Sequence, residues 1–507
     1  MIAATLDQWF SHIQAGDDRA IMQAMTVLLQ QGWLKGDDST DRFLRLAVSV
    51  CMDRCLHAAV APVAALDYVQ VDLLAQFLAA LVRSFEEWSR STAMSKLGLV
   101  NKVLAAVAKV MHAHQVDRRA AFNQKPFHRL ILHLLDLHEV VGDPLVLSMA
   151  DFLHAVQPRI LPGFSFSWLE VVSHRKLMPK LLQTRGKGWG PFQRLLVGFF
   201  RHLEPYLRAA QLPDPVKLLY KGTLRVLLVL LHDFPEFLCE YHASFCDVIP
   251  PSCIQLRNVI LSAFPRNMLL PDPSSVDLKA EPLPEAAKPP AMLSTYAAAL
   301  EKRPVFKAEL DSYLRGRPNA VFLADLPSHL FLSAPADIAA AGTRVNVPLI
   351  NALVLHVASA AIAHNPRPGK PPSAGGVSLE LFVKLSRDLE TEARYLFLNA
   401  LANQLRFPNA HTHFFSSTIL AMFQAVHDKE IVREQITRVL IERLIVYRPH
   451  PWGLLVTFIE LIKNPAYDLS RHEFVRSAPE IEQLFSTVAQ FCLKGSEATS
   501  ASANSDA

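Results

Sequence analysis

LYKGTLRVLLVLLHDFPEFLCEYHASFCDVIPP, Leu219 to Pro251, decides how the chain is read. Val226 to Leu231 are six consecutive aliphatics, apolar around the whole circumference of a helix. Such a helix is expected to lie between other helices and not on a surface. Asp233 then reads as the cap of a second helix, with Pro235 in its first turn and Glu236 at the capping-box position. Phe237, Tyr241 and Phe245 fall four apart on one face of that helix. The stretch reads as a packed inner hairpin whose purpose is burial.

The rest of the chain follows the same pattern. Of 507 residues, 51% are apolar and 19% charged, the latter below the roughly 25% usual in soluble domains. That balance calls for extensive burial, and layered helices supply it. Ser477-Ala-Pro-Glu480 reads as a capping box ahead of Ile481, Leu484, Phe485, Val488 and Cys492 on one helical face. Ser252-Cys-Ile-Gln255 reads as another, opening a helix to about Ala263. A third helix is expected from about Glu430 to Tyr447, burying Val432, Ile436, Val439, Leu440 and Leu444. Only Ala320 to Leu323 suggests a short extended piece. The expected fold is all-α, an irregular HEAT-like solenoid of helical hairpins.

The expected organisation is N-terminal repeats over 1–157, central repeats over 158–270, a Pro-rich linker over 271–300 and C-terminal repeats over 301–493. Within the linker, Pro271 to Pro290 is too proline-rich for a helix and reads as an extended connection or a surface-hugging strap. Asn365 to Ser378 reads as a flexible loop, and 494–507 as a disordered tail.

Candidate chemistry is sparse. Cys239, Cys246 and Cys253 recur every seven residues near His232 and His242. Zinc sites bring close C-x₂₋₄-C pairs, which are missing here, and buried cysteine is common, so packing is the reading. Cys51 and Cys55 are read in the same way. Thr184-Arg-Gly-Lys-Gly-Trp-Gly190 lacks phosphate-loop spacing and a preceding strand, and reads as a loop between helices. His411 and His413 lack a third ligand. No nucleophile elbow or isolated acidic cluster is found, so no catalytic residue, metal or cofactor is expected. Lys plus Arg is 51 against 47 for Asp plus Glu, a near balance without a field for nucleic acid or membrane. Arg433, Arg438, Arg443 and Arg448 recur every five residues among glutamates, which rotates them around a helix and reads as a solvated face. Val345 to Asn365 is uncharged, but Pro348, three asparagines and two histidines favour a buried soluble helix over a membrane span. Few cysteines and no glycosylation sequon suit a reducing intracellular compartment.

Several longer runs carry a resemblance. LYKGTLRVLLVLLHDFPEFLCEYH, CDVIPPSCIQLRNVILSAFPRNM, RYLFLNALANQLRFPNAHTHFFS, EQITRVLIERLIVYRPHPWGLLVTFIELIKNP and HEFVRSAPEIEQLF closely resemble the C-terminal region of the scaffold (subunit one) family of the CCR-NOT mRNA deadenylase complex. QQGWLKGDDSTDRFLRLAV and GFSFSWLEVVSHRKL resemble the part just upstream. The likeness covers nearly the whole chain, failing at the Pro-rich linker and the tail.

The resemblance implies a non-catalytic docking domain within a longer scaffold, and a start at Met1 so near the family's C-terminal portion suggests a fragment or a truncated gene model. The partners it implies are the second and the third or fifth NOT-box subunits as a heterodimer, and short linear peptides of translational repressors. Its role would support mRNA deadenylation, decay and translational repression, in the cytoplasm including mRNA-decay bodies and in the nucleus. The isolated domain is expected to be monomeric and away from membranes. The alternative is a helical domain that binds RNA directly; a nuclease or hydrolase ranks third. Candidate partner-binding residues are Arg406, Phe407, His411, His413, Phe414 and Phe415, with Arg448, His450 and Trp452. Arginine and aromatic side chains anchor interfaces, and these are expected at helix ends and turns that could be exposed.

Overall fold

The structure, a computed structural model, describes residues 2–15, 23, 26–28, 30–34, 36–57, 66–88, 94–209, 211–275, 283–317, 319–364 and 375–494. It is all-α; among the described residues the sole strand-like feature is an isolated bridge between Phe331 and Val345. The chain forms two compact units, one from 1–206 and 211–223, the other from 207–210 and 224–507.

The first unit is built of two rows of stacked helices. Asp37–His57, Lys96–Arg118 and Pro144–Ala155 pack in sequence along one row, and Val69–Arg83, Lys125–Leu135 and Ser165–Val172 along the other. Apolar stripes repeating every three to four residues make this arrangement pay back in burial: Leu99, Val103, Val107 and Met111 of one long helix are all enclosed. Polar side chains fix the turns between rows. Gln115 Oε1 accepts Gly163 N at 3.0 Å, Gln124 Oε1 accepts Ser167 N at 2.9 Å, and Trp168 Nε1 donates to Leu153 O at 2.8 Å.

The second unit repeats the scheme. Val347–Ala363, Thr391–Ala402 and Glu430–Ile441 form one row; Gly376–Asp388, Ala410–Ala425, Trp452–Lys463 and Pro479–Lys494 form the other. The described parts of the Pro-rich segment are a strap on this unit. Lys288 O accepts Ala410 N at 2.9 Å, Leu293 N donates to Glu240 O at 2.7 Å, and Pro271 O accepts Trp452 Nε1 at 2.8 Å. Residues 276–282 of that segment, 365–374 of the expected loop and 495–507 of the expected tail lie outside the described residues.

Several local expectations are corrected. In the decisive stretch, helices Asp214–Asp233 and Pro235–Cys246 form, and Phe237 and Phe245 are fully buried with ring centroids 5.9 Å apart. Leu228 and Val229 are exposed, however, so the aliphatic helix is not enclosed on every side. Asp233 ends the first helix, where its carboxylate meets His232, and Phe234 occupies the cap position. Neither capping box closes. Cys253, not Ser252, precedes helix Ile254–Leu261, and Gln255 Nε2 donates instead to Tyr447 O at 2.9 Å. Ser477 Oγ donates back to Phe474 O at 3.1 Å; of the face beyond it Val488 is buried while Ile481 and Leu484 stay exposed.

Ala320 to Leu323 is helical, because Asn319 Oδ1 accepts Phe322 N and caps helix Ala320–Asp325. The helix beginning at Glu430 stops at Ile441, short of Tyr447: Asn258 Nδ2 donates to Arg443 O at 2.7 Å, outside the helical ladder. The glycines at 186, 188 and 190 open helix Arg185–Leu207 rather than forming a loop. A Cβ on Gly188 would stand 1.9 Å from Leu181 O, so only glycine permits that close approach. Among the described residues no helix is long and apolar enough to cross a membrane.

Truncating Phe237 to alanine should cost the second unit about 3–5 kcal/mol, the usual loss for a fully enclosed phenylalanine. Urea unfolding followed by circular dichroism measures it; a loss below about 1 kcal/mol would contradict the packing described.

Candidate functional site

Six of the nine candidate side chains lie in one turn and the helix after it, while Arg448, His450 and Trp452 lie between helix Glu430–Ile441 and the start of helix Trp452–Lys463. Residues 403–409 connect helices Thr391–Ala402 and Ala410–Ala425. Asn409 closes the connection: its Oδ1 accepts Thr412 N at 3.0 Å and its Nδ2 donates to Phe407 O at 2.6 Å. The Thr412 hydroxyl accepts Arg406 N at 3.2 Å, and its own proton lies within reach of Phe407 O and Gln404 O, at 2.8 and 3.1 Å. From the next helix, Gly453 N donates to Arg406 O at 2.6 Å. That approach needs a glycine, since a Cβ there would meet Thr412 Cγ2 at 2.4 Å.

This knot turns the candidate residues inward. Arg406, Phe407, His411, Phe414 and Phe415 are all buried, which corrects the expected exposure of these five. Phe415 packs with Phe414 at 5.3 Å and Phe382 at 6.5 Å between ring centroids. His413, His450 and Trp452 are half-buried, and Arg448 is exposed. Tyr447, absent from the candidate set, is 88% exposed, with Ile445 also exposed. No sequence signal marked it, because its exposure depends on the helix stopping at Ile441.

A second group was also missed. Arg257, Arg394, Arg406 and Arg443 are buried, and none forms an ion pair with a carboxylate among the described residues. Arg443, expected on a solvated face, is 1% exposed. It lies three residues beyond Leu440 and seven beyond Ile436, so the periodicity that placed those two in the core could have placed it there too. These arginines are held by neutral acceptors. Arg257 donates to Cys246 O, Pro250 O and Asn403 Oδ1 at 3.0, 3.2 and 3.2 Å. Arg443 Nη2 donates to Asn399 Oδ1 at 2.7 Å and Asn403 Oδ1 at 2.9 Å. Arg394 donates to Leu389 O and Gln435 Oε1, at 2.6 and 2.9 Å. Burial draws Arg406 and Arg443 down to about 10, so both remain cations at pH 7.

The remaining titratable groups are tuned away from chemistry. Burial pushes the thiols of Cys51 and Cys239 up to about 12, so neither is a thiolate at neutral pH. Cys246 and Cys253 are raised as well, again by burial. Burial, then the Arg406 charge, holds His242 well below its ordinary value and His411 at about 4. Elsewhere, Leu323, Leu379 and Val383 line an open apolar depression of about 440 Å³, rimmed by Glu380, Lys384 and Arg387.

The depressed His411 value carries a prediction with a definite sign. The unfolded chain takes up this proton near 6.5 and the folded chain only near 4. Stability is therefore full above 6.5 and is lost as pH falls from 6.5 toward 4, by roughly 3 kcal/mol at the lower end. Denaturant midpoints at pH 7, 6 and 5 should fall in that order, with a shallower slope in His411→Asn. An unchanged slope in the variant would contradict a neutral, buried His411.

Residues 136–489 match the family described as "CCR4-Not complex component, Not1". The chain is 38% identical to the CCR4-NOT transcription complex subunit let-711 of Caenorhabditis elegans, over 95% of this chain and 19% of that protein. It is 34% identical to general negative regulator of transcription subunit 1 of Schizosaccharomyces pombe, over 94% of this chain and 23% of that one. The chain thus spans about a fifth of the length of these curated relatives. The NOT1 superfamily homology domain from Chaetomium thermophilum superposes with a TM-score of 0.84 at 28% identity, covering 96% of this chain and 98% of that domain. A Not1 C-terminal domain solved in complex with Not4 gives 0.79 at 26% identity, covering 95% and 99%. The chain belongs to the Not1 family of CCR4-Not complex components.

Proposed function

We propose that this chain is a non-catalytic docking platform of the CCR4-Not scaffold. Its partners would be a heterodimer of the second and the third or fifth NOT-box subunits, and short peptides of translational repressors. Through them it would support mRNA deadenylation, decay and repression, in the cytoplasm with its mRNA-decay bodies and in the nucleus. The observation that carries the reading is the likeness, over 95% of the chain, to a Not1 C-terminal domain solved in complex with Not4. The site chemistry agrees with it. Thiols raised by burial and imidazoles kept neutral by burial are poor nucleophiles and poor proton carriers, but they pack well.

The docking surface would draw on the side chains that a partner can reach around the 403–409 turn. These are exposed Arg448 and half-buried His413, His450 and Trp452, with exposed Tyr447 beside them. The buried Arg406, Phe407, His411, Phe414 and Phe415 would hold that surface in shape.

Size-exclusion chromatography with light scattering tests the reading. The chain alone should elute as a monomer, and with the NOT-box heterodimer as a stoichiometric ternary complex at physiological salt. Tyr447→Ala with Arg448→Ala should weaken that complex about tenfold or more while leaving the fold intact, since arginine and tyrosine are frequent hot spots. A folded monomer that fails to co-elute contradicts the proposal, and RNA affinity that falls steeply with salt would favour the alternative.

A further inference from the structure

Helix Arg185–Leu207 of the first unit carries a row of cations with nothing to answer them. Lys187, Arg194 and Arg201 are all exposed and stand seven residues apart. Seven residues are close to two full turns, so the three share one face and lie about 10 Å apart along it. Among the described residues none of the three forms an ion pair. The elements that meet this helix add little negative charge. The 157–164 segment has no acid, and Glu170 of helix Ser165–Val172 already faces His128 at 3.5 Å. Glu204, the helix's own single acid, is half-buried and already engaged.

An apolar cluster closes one end of the row. Gln157 rests on Gly198, between Arg194 and Arg201, so tightly that a Cβ on that glycine would stand 2.5 Å from Gln157 Oε1. The turn that follows is closed by Ile160 N donating to Gln157 O at 2.8 Å, and it leaves Ile160 48% exposed. Ser165 Oγ lies 3.4 Å from His202 Nε2, which sets the exposed Phe166 beside the same helix. Tyr206, also exposed, packs its ring 5.9 Å from that of His202. Ile160, Phe166 and Tyr206 gather at the Arg201 end, and the cations run away from them.

We propose that this face docks an extended acidic segment of a partner protein. An apolar residue of the segment seats at Ile160, Phe166 and Tyr206, and its carboxylates meet Arg201, Arg194 and Lys187 in turn. The spacing sets the pattern. In a polyproline-II chain every third side chain points the same way, with a repeat of about 9 Å, close to the step between these cations. About seven residues with an acid at every third position therefore span the row. The complementarity is local, since 51 basic against 47 acidic residues leave the whole chain without a long-range field. Single-stranded nucleic acid fits less well, because it calls for aromatic faces interleaved with cations, and here the two are segregated. The surface lies in the first unit and does not involve Tyr447 or Arg448 of the second.

Fluorescence anisotropy with the whole chain and labelled peptides tests the proposal. The probe is a short peptide with a Leu-Phe pair followed by glutamates at every third position. It should bind saturably and more weakly as salt rises, and a version with glutamines in place of glutamates should bind about tenfold less well or worse. Arg194→Glu with Arg201→Glu should lose the glutamate peptide and take up a lysine version instead. Both positions are exposed, so its circular dichroism should match the wild type. Tyr447→Ala with Arg448→Ala should bind the peptide as the wild type does, which separates this surface from the docking proposed above. No binding, equal binding of the glutamine version, or a charge-reversed variant that still takes the glutamate peptide overturns the proposal. Oligouridine that binds more tightly than the peptide and is lost in the charge-reversed variant also overturns it, giving the face to nucleic acid.

Discussion

One carboxamide oxygen holds the second unit's core in register. Asn403 Oδ1 accepts from Arg257 at 3.2 Å and from Arg443 at 2.9 Å. It thereby joins helix Ile254–Leu261, the end of helix Thr391–Ala402 and the residues just after helix Glu430–Ile441. Two guanidinium groups on one neutral oxygen form a directional constraint that apolar packing cannot provide, because apolar burial has no preferred orientation. Asn399 and Asn258 extend it, the first accepting from Arg443 Nη2 and the second donating to Arg443 O. Arg394 and Gln435 tie the same two helices a few turns away.

These ties explain how a helical array can carry a defined surface. Stacked helices are held mainly by neighbours, and their stability is close to a sum of local interfaces. Cross-ties between helices distant in sequence fix the register of one row against the next. The 403–409 turn shows the result. Asn409, Thr412 and Gly453 lock it, the strap covers it through Lys288, and Trp452 is anchored to Pro271. What remains outside is a short run around Tyr447 and Arg448 whose position is dictated by everything beneath it.

Much of this fold is legible in the sequence. The all-α class, the buried Phe237 and Phe245 of the Leu219 to Pro251 stretch, and the buried set Val432, Ile436, Val439, Leu440 and Leu444 follow from periodicity. Details decided by tertiary partners are not. Ser252 and Ser477 carry cap-forming side chains, but the chain turns one residue later and their hydroxyls cap nothing. Val321 to Leu323 have strand-like side chains, yet the single carboxamide of Asn319 decides for helix. The candidate site suffered most. Arginine and phenylalanine near a turn look exposed when only composition is considered, and nothing local shows that Cys239 O waits for Arg406 167 residues away.

Substituting Asn403 by leucine tests the cross-tie most directly. Leucine keeps the volume and removes the shared acceptor, leaving two buried cations short of a partner. Equilibrium urea unfolding should show a loss of about 3–5 kcal/mol, the range for stranding a buried charge. Hydrogen exchange should quicken in Ile254–Leu261 and Glu430–Ile441 together, since both helices hang on that oxygen. A loss under about 1 kcal/mol, the worth of one ordinary hydrogen bond, would contradict the account.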